Sequence, residues 1–261
     1  MLEPLYTTKI IKIKAGKKFE ADDTLVREIK LELIVNGKKV GALMSTPVDT
    51  DALAVGYLMS ENIIEDVKDI KKLEFINDGM GISIEAKVRE DNINRLNAEG
   101  VVISGCGRST TGNIDPEAIE AKVIQSKFSI KASKLLKHMS QFYTECPLYE
   151  QTGCVHTAKL FTREDKFFIG EDIAQHNTID KAIGKAKLAG EDVSNSFLMV
   201  SGRLSSEMVA KAVMHQIPIL VSRTACTCLG LMIARKFNLT LGGFAREDRM
   251  NVYSAESRID V

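Results

Sequence analysis

The chain has 261 residues, 44% of them hydrophobic and 27% charged, a balance that suits a globular protein with a substantial buried core. Lys+Arg and Asp+Glu both number 35, so the zero net charge gives no general electrostatic case for nucleic acid or an anionic membrane; only a local basic patch would serve a phosphate. No apolar run reaches bilayer length, the N-terminus lacks the charged-then-apolar pattern of a secretory signal, and five cysteines show no disulfide-framework spacing, so a cytoplasmic protein with reduced thiols is expected.

In chain order, residues 25–40 read as two strands joined at Asn36-Gly37, a strong hairpin signal, with Ile29, Leu31 and Leu33 on alternate positions. The return strand continues to Ser45 and stops at Thr46-Pro47-Val48-Asp49. Asp49 or Thr50 is expected to cap a helix ending near Asn62. Residues 73–77 and 81–88 predict two strands around Asp78-Gly79, and 91–96 a short helix, completing a small α+β unit.

A loop of unusual composition follows, Ile103-Ser104-Gly105-Cys106-Gly107-Arg108-Ser109-Thr110-Thr111-Gly112. The glycines permit unusual backbone angles and close approach, and an arginine near a thiol favours the thiolate. The loop reads either as a reactive Cys106 or as a tight turn whose cysteine fills a small buried space. Asp115-Pro116-Glu117 then starts a helix, and 133–143 form a clearer one with Leu135, Leu136, Met139 and Phe142 on one face.

Residues 146–153 read as a turn-rich connection, 155–162 and 166–170 as strands, and 177–188 as a helix. Beyond it, strands at 196–201, 217–222 and 239–244 alternate with helices at 205–215 and 227–237. Continuous apolar strands between helices imply a parallel sheet covered on both faces. Two domains are expected, an α+β domain over 1–128 and a larger α/β domain over 129–261.

Several polar constellations carry possible chemistry. Cys154 and His156, placed on one face of a strand by alternation, read as a catalytic pair, as half a metal site, or as a strand edge with a hydrogen-bonded histidine. In 170–181, Asn177 or Thr178 can cap a helix, and Glu171 or Asp172 can orient His176; a helix N-terminus there would attract an anion. Ser201-Gly202-Arg203-Leu204-Ser205 puts Arg203 at a strand end, with Ser205 as a cap. Phe244-Ala245-Arg246-Glu247-Asp248-Arg249 adds two arginines after the last strand, and together these point to an anionic ligand. Cys226 and Cys228 form a C-x-C at a helix start and read as packing residues.

The order and spacing of these motifs resemble the formate dehydrogenase accessory sulfurtransferase (FdhD) family. The resemblance is carried by Asn36-Gly37, Thr46-Pro47, Gly56-Tyr57-Leu58-Met59-Ser60-Glu61-Asn62, Gly105-Cys106-Gly107, Thr152-Gly153-Cys154-Val155-His156, Glu171-Asp172, His176-Asn177, Asp180-Lys181, Ser201-Gly202-Arg203 with Glu207-Met208-Val209, and 243–254. It implies an α/β fold with a cytidine deaminase-like three-layer α/β/α core and a homodimer. It implies that Cys106 accepts persulfide sulfur from a cysteine desulfurase. The sulfur would go to a molybdenum or tungsten bis-pterin guanine dinucleotide cofactor needed by the catalytic subunit of formate dehydrogenase. The dinucleotide, or a GDP-like nucleotide in the same place, would lie against Phe244, Ala245, Arg246, Glu247, Asp248 and Arg249, with Arg203 and His176.

The chain departs from the family pattern twice. Ser109 stands where a second loop cysteine is usual, and Ala174-Gln175 replaces the usual Gly-Arg before the histidine. A zinc deaminase is excluded, because His156 is not followed by x-Glu and no P-C-x-x-C occurs. Two other readings remain: a non-catalytic chaperone that binds the cofactor, and a cysteine hydrolase using Cys154 and His156.

Overall fold

The computed structural model describes residues 2–98, 116–163 and 166–261. It begins with a feature that the hydrophobic pattern does not announce. Strands β1 (Leu5–Lys14) and β2 (Lys17–Val26) form an antiparallel ribbon that turns at Ala15 and Gly16, and among the described residues they pair only with each other.

The expected α+β unit follows as β3 (Ile29–Val35), β4 (Lys38–Ser45), α1 (Thr50–Ser60), β5 (Ile70–Ile76), β6 (Gly81–Ala86) and α2 (Glu90–Ala98). Asn36 and Gly37 both take positive φ, the tight turn that matches strand twist in a hairpin. The sheet order is β4-β3-β6-β5, with β3 and β6 parallel and the other neighbours antiparallel. Leu31, Leu33, Val35, Ile82 and Ile84 bury one face with Leu53 and Leu58 of α1. Each such side chain contributes about 1.5–3 kcal/mol of burial. Asp49 does not cap α1 through its side chain: it sits in the left-handed region, and its carboxylate pairs with Lys185 instead.

The larger unit comprises β7 (Ile130–Lys131), α3 (Ala132–Ser140), α4 (Pro147–Thr152), β8 (His156–Arg163), β9 (Lys166–Asp172), α5 (Gln175–Leu188), β10 (Phe197–Val200), α6 (Ser206–Met214), β11 (Ile219–Ser222), α7 (Cys228–Lys236), β12 (Thr240–Arg246), β13 (Arg249–Ser254) and β14 (Ile259–Asp260). Its main sheet has the order β13-β12-β11-β10-β8-β9. The β10, β11 and β12 strands are parallel, as the apolar runs predict, while β13, β8 and β9 extend the sheet antiparallel on either side.

Alternation divides the buried strands between two layers. Leu198, Val200, Leu220 and Leu241 pack against Ile179, Ile183, Met208, Val213 and Ile233 of α5, α6 and α7. Phe197, Met199, Ile219, Val221 and Ala245 pack against Leu135, Met139 and Phe142 on the α3 side. The three-layer α/β/α arrangement is therefore present. Residues 119–126 join the larger unit, with Ile124 in its core and its N–H bonded to the Phe237 carbonyl at 2.9 Å.

Two local expectations change. The helix start at 115–117 is a single 3-10 turn, Pro116–Ala118. The connection at 146–153 contains α4, started by Pro147 at its first helical position, where proline has no N–H to lose.

The two units meet along α1 and α5. A Cβ on Gly56 would lie 2.0 Å from the Asp180 carbonyl oxygen, and one on Gly184 would lie 1.9 Å from that of Ala52. These glycines let the two backbones touch. Two buried ionic clusters bind the same seam. Lys181 Nζ lies 2.6 Å from Asp172 Oδ2 and donates to Thr46 Oγ1 at 2.7 Å and to the Glu171 carbonyl at 3.1 Å. Asp172 also accepts from Ser45 Oγ at 2.8 Å, the Ala174 N–H at 2.8 Å and Asn177 Nδ2 at 3.1 Å. In the second cluster, Lys211 donates to both Asp180 oxygens, at 2.9 and 2.7 Å, and Ser60 Oγ donates to Asp180 Oδ1 at 2.7 Å.

Candidate functional site at the strand-end rim

The carboxyl ends of β9, β10, β11 and β12 lie along one edge of the main sheet, together with the start of antiparallel β8. Helices α5, α6 and α7 begin directly after three of these ends. Ser205 caps α6 by accepting the Met208 N–H at 3.5 Å, and Thr227 caps α7 by accepting the Gly230 N–H at 3.1 Å. Three helix N-termini on one edge make it favourable for anions.

Short hydrogen bonds link the rim into one surface. Ser201 Oγ accepts the Thr157 N–H at 3.1 Å and meets His156 Nδ1 at 3.2 Å. Ser222 Oγ donates to the Gly202 carbonyl at 2.5 Å and meets Thr224 Oγ1 at 3.1 Å. The Thr224 carbonyl accepts the Phe244 N–H at 3.0 Å. Gln175 Nε2 donates to the Arg203 carbonyl at 2.6 Å, while the Arg203 guanidinium is exposed and has no partner among the described residues. A Cβ on Gly202 would lie 2.3 Å from Gln175 Cδ, so this glycine leaves room for the glutamine.

Two histidines meet here in different electrostatic settings. His176 Nδ1 lies 2.6 Å from Glu207 Oε2. Burial alone would push the Glu207 carboxyl up, but the hydrogen bond and charge of His176, helped by Lys211, hold it below its ordinary value. Burial pushes His156 down, the neighbouring His176 adds to this, and Asp172 partly opposes it, so the site favours the neutral form of His156.

The expected orienting group for His176 is therefore corrected. Asp172 is engaged with Lys181. Glu171 accepts the Tyr149 N–H at 2.7 Å and the Leu148 N–H at 3.1 Å, capping α4. Burial raises the Glu171 carboxyl despite those bonds. Glu207 takes the place next to His176; its position in the first turn of α6 is the one sequence cue to a helix-terminal role.

The last strand end has an unusual backbone. Phe244 takes φ 53°, uncommon for a bulky residue, at a register shift between Gly243 and Arg246, and the residue is 43% exposed. Ala245 turns the other way and is buried under α3, so a ligand at the rim meets its backbone alone. Arg246 and Arg249 are directly paired across the β12–β13 turn, with Glu247 and Asp248 between them, and all four are exposed. Like charges placed opposite each other are destabilising without a counterion. The turn thus presents two arginines in a position an anion would relieve.

Cys106 lies outside the described residues. The other four cysteines are free thiols. Cys146 is fully buried, and burial pushes its thiol up to about 12, which leaves it protonated. Cys154 is exposed and precedes β8, because Gly153 in the left-handed region ends α4 there. It therefore does not share a strand face with His156, whose Nδ1 is taken by Ser201. Cys226 packs partly on the core as expected, whereas Cys228 is exposed at the first position of α7. Among the described residues, no group of three or more His, Cys, Asp or Glu side chains is placed to hold a metal ion.

Fold and rim together define a mixed α/β protein with an anion-accepting edge at the ends of its parallel strands. Comparison with known proteins is consistent with that class and narrows it. The FdhD/NarQ family model matches residues 26–260. A sulfur carrier protein FdhD from Wolinella succinogenes is 41% identical, over 93% of this chain and 84% of its own length. Another of that name from Staphylococcus haemolyticus is 31% identical, over 96% and 95%. A Desulfotalea psychrophila crystal structure, of a protein proposed to be a formate dehydrogenase accessory protein, superposes with a TM-score of 0.81 at 27% identity, over 99% of this chain and 100% of that one. The chain belongs to the FdhD/NarQ family.

Proposed function

We propose that this protein is a cytoplasmic sulfurtransferase that carries sulfur during formate dehydrogenase maturation. In this reading the Cys106 thiolate attacks the terminal sulfur of a cysteine desulfurase persulfide. A new S–S bond forms on Cys106, the donor's S–S bond breaks, and the donor cysteine leaves as a thiolate, so no outside oxidant is needed. The outer sulfur then passes to a molybdenum or tungsten bis-pterin guanine dinucleotide bound as cargo, destined for the formate dehydrogenase catalytic subunit; the S–S bond on Cys106 breaks, Cys106 is left as a thiolate, and the two electrons that take the sulfur to sulfide would come from the reduced metal of the cargo. The protein works as a homodimer.

The observation that carries this reading is the rim. Arg203, His176 next to Glu207, the exposed Phe244, and the opposed Arg246 and Arg249 supply a stacking surface and cations for a guanine dinucleotide or a GDP-like nucleotide. Glu247 and Asp248 lie at the turn of the same hairpin, and Ala245 contributes backbone. Ser109, in place of the family's usual second cysteine, favours one alternative, a cofactor-binding chaperone without sulfur transfer.

The test is to incubate the protein with a desulfurase, cysteine and a thiol-selective mass tag, and to measure GDP binding by calorimetry in parallel. A persulfide on Cys106 that disappears in Cys106→Ser, with GDP binding retained, is the expected result. GDP binding without any persulfide overturns sulfur transfer in favour of the chaperone.

A further inference from the structure

The far half of the β1–β2 ribbon, residues 11–20, is exposed at every position. Nearer the body, Thr8, Ile10, Ala21 and Asp23 are half-covered and β2 touches α4, so the base is anchored and the tip stands free. At about 3.3 Å per residue, the strand residues beyond the base and the turn reach roughly 15 Å outward. Nearly all of the ribbon precedes residue 26, where the family-matched segment begins, so the family assignment does not explain it.

Strand register sorts the side chains of the tip onto two faces. Pairing of Ile11 with Glu20 and of Ile13 with Lys18 puts two isoleucines, a glutamate and a lysine on one face. Pairing of Lys12 with Phe19 and of Lys14 with Lys17 puts three lysines and a phenylalanine on the other. Each face therefore holds large apolar surface in solvent: Ile13 is 70% exposed, Ile11 57% and Phe19 45%. The tip carries four lysines against one acid, Glu20, in a chain of zero net charge. Of the four, Lys12 alone has an ion pair among the described residues, to Asp23 at 3.8 Å, and both side chains there are half-exposed.

A flat protein surface would cover one face of such a ribbon and leave the other in water. A tip that is apolar on both faces and basic overall is suited to a medium that surrounds it. The headgroup layer of an anionic bilayer is such a medium, negatively charged and open to apolar side chains to a depth of about 5–10 Å. The reach of the ribbon exceeds that depth, so the tip can enter while α4 and the sheets stay in water. Lysine stems lie along the apolar side chains and keep their ammonium groups at phosphate level. Entry has a limit. Among the described residues neither strand has a second neighbour, so both long edges keep unpaired backbone groups, which hydrocarbon does not tolerate. The tip therefore stops in the hydrated layer.

We propose that the β1–β2 tip is a membrane-docking arm whose partner is the headgroup layer of an anionic lipid bilayer. Each lysine brought to such a surface strengthens binding about fivefold. This goes beyond the sulfur carriage proposed above and does not depend on it.

Flotation of the full chain with vesicles of phosphatidylcholine alone, and of phosphatidylcholine and phosphatidylglycerol in equal parts, tests it. The wild type is expected to float with the anionic vesicles, to stay behind with the neutral ones, and to bind more weakly at high salt. Lys14→Glu/Lys17→Glu/Lys18→Glu is expected to weaken binding by roughly tenfold or more, and Ile11→Ser/Ile13→Ser/Phe19→Ser likewise. All these side chains are exposed, so the fold is retained, as circular dichroism verifies. The chain has no tryptophan, so Ile13→Trp and Phe19→Trp each place a single fluorophore, on opposite faces of the tip. Both emissions are expected to shift to the blue on anionic vesicles. A wild type that ignores anionic vesicles overturns the proposal and leaves the tip to a protein partner. A shift on one face alone, or flotation indifferent to the apolar substitutions, overturns entry of the tip and leaves adsorption by charge.

Discussion

Helix α5 passes through two environments, and its polar side chains behave differently in each. In the interior, Lys181 and Asp180 are almost completely buried and fully partnered: Asp172, Thr46 and the Glu171 carbonyl hold the lysine, and Lys211 and Ser60 hold the aspartate. At the rim end, His176 has one partner, Glu207, and beside it the Arg203 guanidinium has none among the described residues. Burying a charge is tolerable only when its bonds are complete. Saturated groups therefore mark architecture, and groups with bonds to spare, kept near solvent, mark a place for a ligand.

The largest effect expected from breaking that contrast lies in the interior. Asp172→Ala strands Lys181 in a dry environment, where burial already disfavours its charged form. Loss of one partner of a buried pair costs about 3–5 kcal/mol. Urea unfolding of this variant is expected to show that loss, and a loss below about 1 kcal/mol would mean that solvent reaches the cluster.

A second effect is pH-dependent. His215 is buried with its Nε2 3.1 Å from Ser60 Oγ, and burial, with Lys187 and Lys211 nearby, lowers its value from 6.5 to about 3. The unfolded chain thus binds a proton near pH 6.5 that the folded chain refuses until about pH 3. This group's contribution to stability is complete above pH 6.5 and falls as the pH is lowered towards 3, by on the order of 1 kcal/mol per pH unit. His215→Gln, which can keep a bond to Ser60, is expected to flatten the fall between pH 6.5 and 4.5. An unchanged slope in that variant would assign the acid sensitivity to other groups.

The smallest effect on stability, and the sharpest on function, is expected at the rim. Arg203→Ala removes an exposed, unpartnered side chain, and such substitutions shift stability within about 0.5 kcal/mol. Calorimetry is expected to show GDP binding weakened about ten- to a hundredfold, the loss of one charge-assisted contact of about 1.5–3 kcal/mol. Equal affinity in the variant would move the phosphate site away from the end of β10.

Much of the fold is legible in the chain because its signals are local. The runs Phe197–Val200 and Ile219–Ser222 are apolar on both faces, which only a doubly covered strand requires, and Asn36-Gly37 dictates its own turn. The β1–β2 ribbon escapes such reading because lysines and acids interrupt its apolar positions and almost none of it is buried, so no hydrophobic periodicity marks it. The α4 helix was masked by its short length, although Pro147 is a recognisable start signal.

The candidate site divides in the same way. Arg203, Phe244, Arg246 and Arg249 can be picked out because strand ends in an α/β order are predictable places for ligands. The pairing of His176 with Glu207, the turning of Ala245 into the core, and the separation of Cys154 from His156 are not written in any short stretch. By itself the sequence determined the family and the alternation of buried strands with helices from residue 196 onward, and it marked Arg203, Phe244, Arg246 and Arg249 as strand-end residues, since these follow from local pattern and spacing. Only the tertiary structure decided which polar groups are saturated and which are left open. That depends on contacts between residues far apart in the chain, such as Ser45 with Asp172 and Ser60 with Asp180, and on the water those contacts exclude.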